Sequence, residues 1–168
     1  QSGPSMASAL INEGKTVATY AWPSAYANNL LTPTVVGNRV LLSSWHSFGK
    51  KNNPTTHLVE VSLGGIKKIW EQPVSSHLCS PLVFENRIYI AGPELYCLDW
   101  KTGETIWQGA AFNYGASCVL THDERLIVLG NRGKLRLVET ATGKQPAYRE
   151  LAIRETLKKD DIWSHVVV

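Results

Sequence analysis

Short apolar runs separated by polar turn residues recur along the whole chain. Residues 95–107 show the pattern most fully, because an apolar run leads into a polar segment at 99–103 and then into a second run that ends at Trp107. Short runs with aromatic content are typical of buried β-strands. Asp99 can accept backbone N–H bonds and Gly103 can adopt a positive φ, so the polar segment suits a tight turn. The pattern predicts a β-hairpin.

A second pattern, an apolar run followed by a polar turn, an arginine and another apolar run, precedes each such hairpin. It occurs three times, at residues 33–43, 81–91 and 119–129, with Arg39, Arg87 and Arg125 at the equivalent position. Gly37-Asn38 is a good signal for a two-residue hairpin turn, whereas Glu85-Asn86 and Asp123-Glu124 are weaker ones. The unit predicts two further antiparallel strands in each repeat.

The hairpin at 95–107 also has degenerate copies. Residues 57–70 form one copy, with the turn shifted by about one residue and Trp70 at the tryptophan position. Residues 134–148 form another, in which Thr142 and Gly143 match the turn and Ala147 stands where the tryptophan would be. Residues 13–18 resemble the tail of an earlier copy.

Four short strands in each repeat, with a period of roughly 40 to 50 residues, are typical of a β-propeller blade. A β-sandwich would explain the strands but not their recurrence in one fixed order. We therefore predict an all-β fold, a partial β-propeller of four-stranded antiparallel blades that occupies residues 1–168 as a single domain. Its parts are the end of a preceding blade at 1–30, blades at 31–72, 78–108 and 116–148, and the start of a next blade at 162–168.

The third blade is the least regular copy. The alignment assigns its fourth strand to residues 144–148. Residues 149–159 show a weak helical periodicity, and we interpret them as a connection between blades.

Composition and charge exclude several classes of function. The chain has 168 residues, of which 43% are hydrophobic and 18% charged, so it can bury a core. The net charge of +3 is modest and the cations are scattered, so we expect no nucleic-acid partner. No apolar run approaches the length of a membrane span, so we expect no transmembrane segment.

The three cysteines, Cys79, Cys97 and Cys118, are too far apart in sequence for a C-x-x-C site. Their odd number excludes a fully paired disulfide framework. Cys97 lies in the middle of a predicted strand, where we expect a small buried apolar residue. A disulfide between Cys79 and Cys118 stays open as an alternative to free thiols.

The ends of the chain suggest a fragment of a longer protein, because it begins at Gln1 without a methionine and ends on the apolar run 166–168. The lack of a visible signal peptide therefore says little about location. We also expect the chain alone to associate, because its terminal blades would expose faces that normally stack.

The motif Cys97-x-Asp99-x-x-Thr102-Gly103-x-x-x-Trp107 resembles the tryptophan-docking motif of pyrroloquinoline-quinone (PQQ)-binding-like propeller repeats, with Cys97 in place of alanine. The resemblance implies structural roles for these residues: the tryptophan stacks on a neighbouring blade, and the aspartate and Thr-Gly pair close the turn. It implies a docking role for Trp70 as well. The structural blade residues predicted in this way are Asp99, Thr102, Gly103, Trp107, Trp70 and Gly143.

The resemblance extends over about residues 14–168, and it also implies a class of protein and a location. Bacterial relatives of this kind include quinoprotein alcohol dehydrogenases and the propeller lipoprotein of outer-membrane-protein assembly. Since they are usually exported, the resemblance implies a periplasmic or otherwise exported protein. Such propellers usually have more blades than this chain holds.

Catalytic signals are absent from the sequence. Quinoprotein dehydrogenases use an adjacent Cys-Cys disulfide, a Ca²⁺ ion held by Glu and Asn, and an Asp base, and none of these patterns is visible here. We therefore expect no catalytic residues, no metal site and no evident cofactor. The alternative is that the chain is a fragment of a PQQ-dependent alcohol or sugar dehydrogenase whose catalytic residues lie outside it. Only under this alternative do we expect PQQ and calcium as cofactors.

Two regions are candidates for binding. The loop at 44–54 is longer than its counterpart in the second repeat and combines aromatic with cationic residues, which suits recognition on a rigid scaffold. The lead-ins to the innermost strands would converge near the mouth of a propeller channel. The candidate ligand- or partner-binding residues from both regions are Trp45, His46, Phe48, His77, Asn113, Tyr114, Trp163 and His165.

The sequence thus favours a non-catalytic scaffold or interaction module of an exported bacterial protein. Its partner would be a protein, a small molecule or a glycan bound at the loops or the channel mouth, together with the remaining blades of the parent propeller. The dehydrogenase fragment is the alternative, and a sugar- or peptidoglycan-binding propeller is a weaker one.

Overall fold

A computed structural model describes residues 6–12, 14–22, 31–45, 55–76, 79–112, 114–142, 146–157, 162 and 166. Within these residues every regular element is a β-strand, and the strands form four antiparallel sheets. The part of the chain described contains no helix long and apolar enough to cross a membrane. The chain divides into two compact units, Gln1–Ser75 and Ser76–Val168.

The first unit contains a two-stranded hairpin and a four-stranded meander. Its strands are β1 (Met6–Asn12), β2 (Lys15–Trp22), β3 (Thr34–Val36), β4 (Arg39–Ser43), β5 (Thr56–Ser62) and β6 (Gly65–Gln72). Strand β1 pairs with β2, and the other four pair in the order β3-β4-β5-β6.

The hairpin and the meander of the first unit share an apolar core. Trp22 of β2 packs with Leu42 and Val59 of the meander, and all three side chains are buried. The indole N–H of Trp22 donates to the carbonyl of Thr55 at 3.1 Å. Alternate hydrophobic positions of β4 and β5 thus face the hairpin, as the two-residue period of a half-buried strand predicts.

The second unit consists of two four-stranded meanders. Their strands are β7 (Leu82–Phe84), β8 (Arg87–Ala91), β9 (Glu94–Asp99) and β10 (Thr105–Ala111), then β11 (Ala116–Leu120), β12 (Arg125–Gly130), β13 (Lys134–Glu139) and β14 (Glu150–Glu155). Pairing follows chain order in both sheets. The predicted hairpin at 95–107 is β9 and β10.

One core joins the two sheets of the second unit. Tyr89, Leu95, Cys97 and Trp107 of the first sheet belong to the same buried cluster as strands β11–β13, which contribute Ala116, Cys118, Leu126, Val128 and Val138. A hydrogen bond links the sheets directly, because the backbone N–H of Ala141 donates to Oη of Tyr89 at 2.8 Å. Two sheets that each bury one face against the other form a rigid pair.

The turn before β8 has a stronger hairpin geometry than its sequence indicates. Glu85 and Asn86 have φ values of 46° and 60°, and positive φ at both central residues defines the turn type whose twist suits a hairpin. The carbonyl of Asn86 accepts from the backbone N–H of Trp100 at 3.0 Å. This tertiary contact helps to hold a conformation that glutamate does not favour.

The fourth strand of the third meander differs from the prediction. It is β14, Glu150–Glu155, which lies in the segment 149–159 that we interpreted as a connection. Of the predicted strand at 144–148, the described residues 146–148 are not in a strand. Residues 146–149 connect β13 to β14, and Tyr148 among them packs on Trp107 of the neighbouring sheet. The sheet therefore extends to Glu155, and in the second meander β10 likewise extends to Ala111.

Candidate functional site

The carboxylate of Asp99 holds the turn between β9 and β10. Its Oδ1 accepts from the backbone N–H groups of Lys101 and Thr102 at 2.8 and 3.0 Å, and its Oδ2 lies 3.1 Å from Nη1 of Arg87. Gly103 has a φ of 75°, a conformation that favours glycine. Burial opposes ionisation of Asp99, but the two N–H groups and the guanidinium outweigh it and lower the pKa of the carboxyl. The acid is thus engaged in the turn.

Trp107 lies between aromatic rings of its own sheet and of the next segment. Its ring centroid is 6.0 Å from that of Tyr89 and 5.5 Å from that of Tyr148, which it meets edge to face. The side chain is only 6% exposed. Trp70, at the equivalent position of the first unit, is also buried, at 9% exposed.

The repeated arginine has a structural partner that the sequence analysis did not identify. In register, Arg39 lies opposite Glu60, Arg87 opposite Asp99 and Arg125 opposite Glu139. The first two pairs are within 3.9 and 3.1 Å, whereas Arg125 pairs with Asp123 at 3.3 Å. In each meander, an arginine at the start of the second strand therefore lies opposite an acidic residue near or at the end of the third strand. The regular spacing of the arginine and the acid in sequence is the signal that could have predicted this pairing.

The predicted binding residues are only partly described. Trp45 follows β4 in the first unit and is half-buried, and Tyr114 lies between β10 and β11 in the second unit and is 40% exposed. The remaining predicted binding residues and one predicted turn residue lie outside the described part of the chain: His46, Phe48, His77, Asn113, Trp163, His165 and Gly143.

A cleft of about 210 Å³ opens at the end of the third meander, next to Tyr114 in sequence. We call it the turn cleft. It lies at the turn between β12 and β13 and is lined by Ala111, Phe112, Gly130, Asn131, Arg132, Lys134 and Arg136. Phe112 lies close to Gly130. A Cβ atom on residue 130 would lie 2.8 Å from the Phe112 ring, so the contact requires glycine at this position.

Backbone hydrogen bonds fix the walls of the turn cleft. The N–H of Asn131 donates to the carbonyl of Gly115 at 3.2 Å, and the N–H of Gly133 donates to that of Gly130 at 2.9 Å. The carbonyl of Gly133 accepts from both the N–H and the hydroxyl of Thr156, at 3.0 and 3.1 Å. The turn is thus tied to the segments before β11 and after β14.

The turn cleft is cationic. Three of its seven lining residues carry a positive charge, namely Arg132, Lys134 and Arg136. The guanidinium of Arg136 lies 5.2 Å from the ring centroid of Phe112, and its Nε donates to Glu150 at 2.9 Å. Lys134 lies 3.8 Å from Glu155, but both side chains are well exposed, and such pairs contribute little.

Asn131 contributes an unusual group to the turn cleft. Its side chain is 3% exposed, and its Nδ2 has no hydrogen-bond partner among the described residues. A buried amide donor without an acceptor costs free energy, so such a group calls for an explanation. The sequence signal that could have pointed to this cleft is the alternation of Arg132, Lys134 and Arg136 beyond an asparagine.

The first unit has an apolar cleft of a different kind. It has a volume of about 390 Å³, and its walls include Tyr20 of β2 and Val35, Val40, Val61 and Ile66 of the meander. Val35 is 64% exposed. The cleft offers surface for packing and few groups for chemistry.

Among the described residues, no group of three or more His, Cys, Asp or Glu side chains is placed to hold a metal ion. All three cysteines are free and buried, and Sγ of Cys79 lies 3.4 Å from both the backbone N and O of Cys118. Burial raises the pKa of all three thiols, to about 12 for Cys97.

No protein-family profile and no curated protein matches the chain. Among solved structures it is similar to the crystal structure of BamB from Moraxella catarrhalis, a β-propeller protein, at 13% identity and a TM-score of 0.55. The alignment covers 84% of this chain and 40% of the BamB chain, so the chain spans well under half the length of that protein. Together with the three four-stranded meanders, this likeness confirms the predicted fold class: the chain is all-β, with the four-stranded antiparallel blades of a partial β-propeller.

Proposed function

We propose that this chain is a non-catalytic β-propeller segment that acts as a scaffold or interaction module of an exported bacterial protein. The observation that carries the proposal is the way the second unit combines a rigid core with fixed loops. Two meanders bury their faces in one cluster, and the turn at 130–133 is tied by backbone bonds to the segments on either side of its sheet. Binding residues are commonly placed on loops that a rigid scaffold positions.

The likeness to BamB supports the same class of function. BamB is an outer-membrane assembly lipoprotein, and its likeness at low identity favours protein partners and an exported location for this chain. The motif at residues 97–107 resembles the PQQ-binding-like repeat, and on that basis we propose that the blades are of this type. The described residues of this motif have structural roles within the fold, because Asp99 accepts hydrogen bonds in the turn and Trp107 is buried in the core.

The partner surface that we propose lies at the end of the second unit where Tyr114 and the turn cleft are found. Tyr114 is partly exposed there, and Ala111 and Phe112 of the cleft wall lie close to it in sequence. The predicted loop and channel-mouth residues, including Trp45 of the first unit, are the further contacts we propose. The partner is a protein or a smaller ligand that these loops recognise.

Site-specific photo-crosslinking tests the interaction module. We expect a photoreactive residue in place of Tyr114, in cells that make the full-length protein, to give a discrete adduct with a second protein. The same residue in place of Lys101, on the exposed turn between β9 and β10, serves as the control and should give none. Equal yields at both positions, or none at either, would contradict a partner surface at Tyr114.

An activity assay tests the non-catalytic part of the proposal. Full-length protein incubated with PQQ and Ca²⁺ should neither acquire the absorption band of a bound quinone nor reduce a dye acceptor with alcohol or sugar substrates. Saturable quinone binding together with substrate-dependent dye reduction would favour the dehydrogenase alternative instead.

A further inference from the structure

We propose that the third meander binds a second copy of this chain, by packing one apolar sheet face into the apolar cleft of the copy's first unit. The contact joins two unlike surfaces, so each copy uses one surface to bind a neighbour and the other to be bound. This inference goes beyond the interaction proposed at Tyr114, because it concerns other residues and a different partner.

Strand pairing aligns one apolar residue from each strand of the third meander in a single row. Val119 lies opposite Ile127, Ile127 opposite Leu137, and Leu137 opposite Ala152. Directly opposite residues of an antiparallel sheet point to the same side, so these four residues share one face. We call them the open row, because Val119, Ile127 and Leu137 are only half-buried and Ala152 is exposed.

The second meander has an equivalent row, which this chain covers. It consists of Leu82, Tyr89, Cys97 and Trp107, aligned by the same strand pairing. Tyr89 and Ile127 correspond, since each lies two residues after the repeated arginine of its meander. Tyr89, Cys97 and Trp107 are 1%, 0% and 6% exposed and share one buried cluster with the third meander. A row at this position is therefore built to pack against another sheet.

The open row has a small residue where the other two meanders have tryptophan. Trp70 and Trp107 occupy this register position in the first and second meanders, and Ala152 occupies it in the third. The sequence alignment had placed Ala147 there. A cleft of about 170 Å³ lies at Ala152, and it leaves room for apolar side chains from another sheet.

A second copy carries the matching surface. The open row needs the kind of face that covers the equivalent row within this chain, to which the third meander contributes Leu126, Val128 and Val138. Counted from the repeated arginines and the acids opposite them, the equivalents in the first meander are Val40, Leu42 and Val59. All three line the apolar cleft of about 390 Å³ in the first unit.

The apolar cleft is the part of that face which remains open. The hairpin of β1 and β2 covers another part of it, where Trp22 packs on Leu42 and Val59. Val35 lines the cleft and is 64% exposed. Aliphatic side chains make no directional hydrogen bonds, so these surfaces select a partner by shape and apolar area. A copy is the partner that supplies both surfaces in equal number.

Light scattering of the 168-residue chain and of single variants tests the contact. Ala152→Lys adds a charge to the open row at an exposed position, and Val35→Lys adds one to the apolar cleft. We expect the natural chain to associate and each variant alone to be monomeric. An equimolar mixture of the two variants should form dimers with one copy of each, because the first keeps an intact cleft and the second an intact open row.

The control is Leu157→Lys, which adds the same charge at a 53% exposed apolar residue that lines neither cleft. It should associate as the natural chain does. Leu137→Lys is a second variant of the open row, and thermal unfolding shows which variants are folded.

Three outcomes overturn the inference: a natural chain that is monomeric at every concentration, a folded Ala152→Lys chain that associates as the natural chain does, or a mixture of the two variants that stays monomeric. Crosslinking of Tyr114 to a second protein does not depend on this contact. If that crosslink forms and the copies do not associate, the interaction module is right and the contact between copies is wrong.

Discussion

At the scale of single residues, burial decides the chemistry of Cys97. The side chain is 0% exposed, and burial raises the pKa of the thiol to about 12, with Arg87 opposing the effect. Since the thiolate is the reactive form, Cys97 should resist a disulfide reagent at pH 8 in the folded chain and react promptly in guanidinium chloride. Labelling followed by mass spectrometry measures this. Fast labelling of Cys97 without denaturant would contradict its burial.

The same thiol makes stability depend on alkaline pH. A pKa that is raised in the folded state contributes stability fully below the unfolded thiol pKa of about 8.5, and this contribution is lost as pH rises toward the folded value. We expect the free energy of unfolding to fall above about pH 9 and to fall less steeply in Cys97→Ala. Urea unfolding at a series of pH values measures the free energy of unfolding of both proteins. If it falls equally steeply with pH in the natural chain and in Cys97→Ala, another group is responsible for the pH dependence.

Asp99 contributes stability that is lost at acidic pH, in contrast to Cys97, whose contribution is lost at alkaline pH. Asp99→Ala removes the acceptor for two backbone N–H groups and the partner of Arg87, so we expect a loss of about 1–2 kcal/mol at pH 7. The lowered pKa of Asp99 means that its contribution is present above the unfolded pKa of about 3.9 and is lost as pH falls through the folded value. The difference in free energy of unfolding between the natural chain and Asp99→Ala should therefore become smaller as pH falls. Asp123→Ala, at an exposed turn, is the control and should change stability by less than about 0.5 kcal/mol.

At the scale of elements, the docking of one meander on the next depends on the face of β10. Trp107→Ala should destabilise the chain by about 3–5 kcal/mol, because the ring is buried between Tyr89 and Tyr148. Denaturant unfolding gives the value, with Leu63→Ala at a 96% exposed position as the control that should hardly change it. A loss well under about 1 kcal/mol for Trp107→Ala would mean that the ring does not join the sheets.

Gly109, two residues along the same strand, tests the contact from the other side. A Cβ on Gly109 would lie 2.2 Å from the ring of Tyr148, so Gly109→Ala must displace that ring and should cost about 1–3 kcal/mol. In a Tyr148→Ala background the clash is absent and the same change should cost far less, which a double-mutant cycle measures. Gly64→Ala, where the nearest atom is 3.6 Å away, is the matched control. Additive effects of the two changes would rule out the contact.

Sequence reasoning predicted the strands better where each turn carried its own signal. The Thr-Gly turn after Asp99 is local, and its hairpin could be read from residues 95–107. The position of β14 could not, because residues 149–159 show only a weak helical periodicity and the strand is defined by its pairing with β13. The turn cleft was missed because Phe112 meets Gly130 and Arg136 through packing between segments that are distant in sequence.

At the scale of the whole molecule, the apolar cleft of the first unit should make the chain associate. Val35 is 64% exposed and lies on β3, which is an edge strand of its meander, and Val36 beside it is 43% exposed. Exposed apolar surface next to an unpaired strand edge promotes contact between copies. We expect the mass measured by light scattering to rise above 18.6 kDa with concentration.

Val35→Lys should restore the monomer mass without loss of stability, because it replaces an exposed side chain and charges the edge. Leu63→Lys adds the same charge at an exposed turn outside the cleft and should leave association unchanged. A chain that stays monomeric at every concentration, or that Leu63→Lys disperses equally well, would mean that this cleft does not drive association.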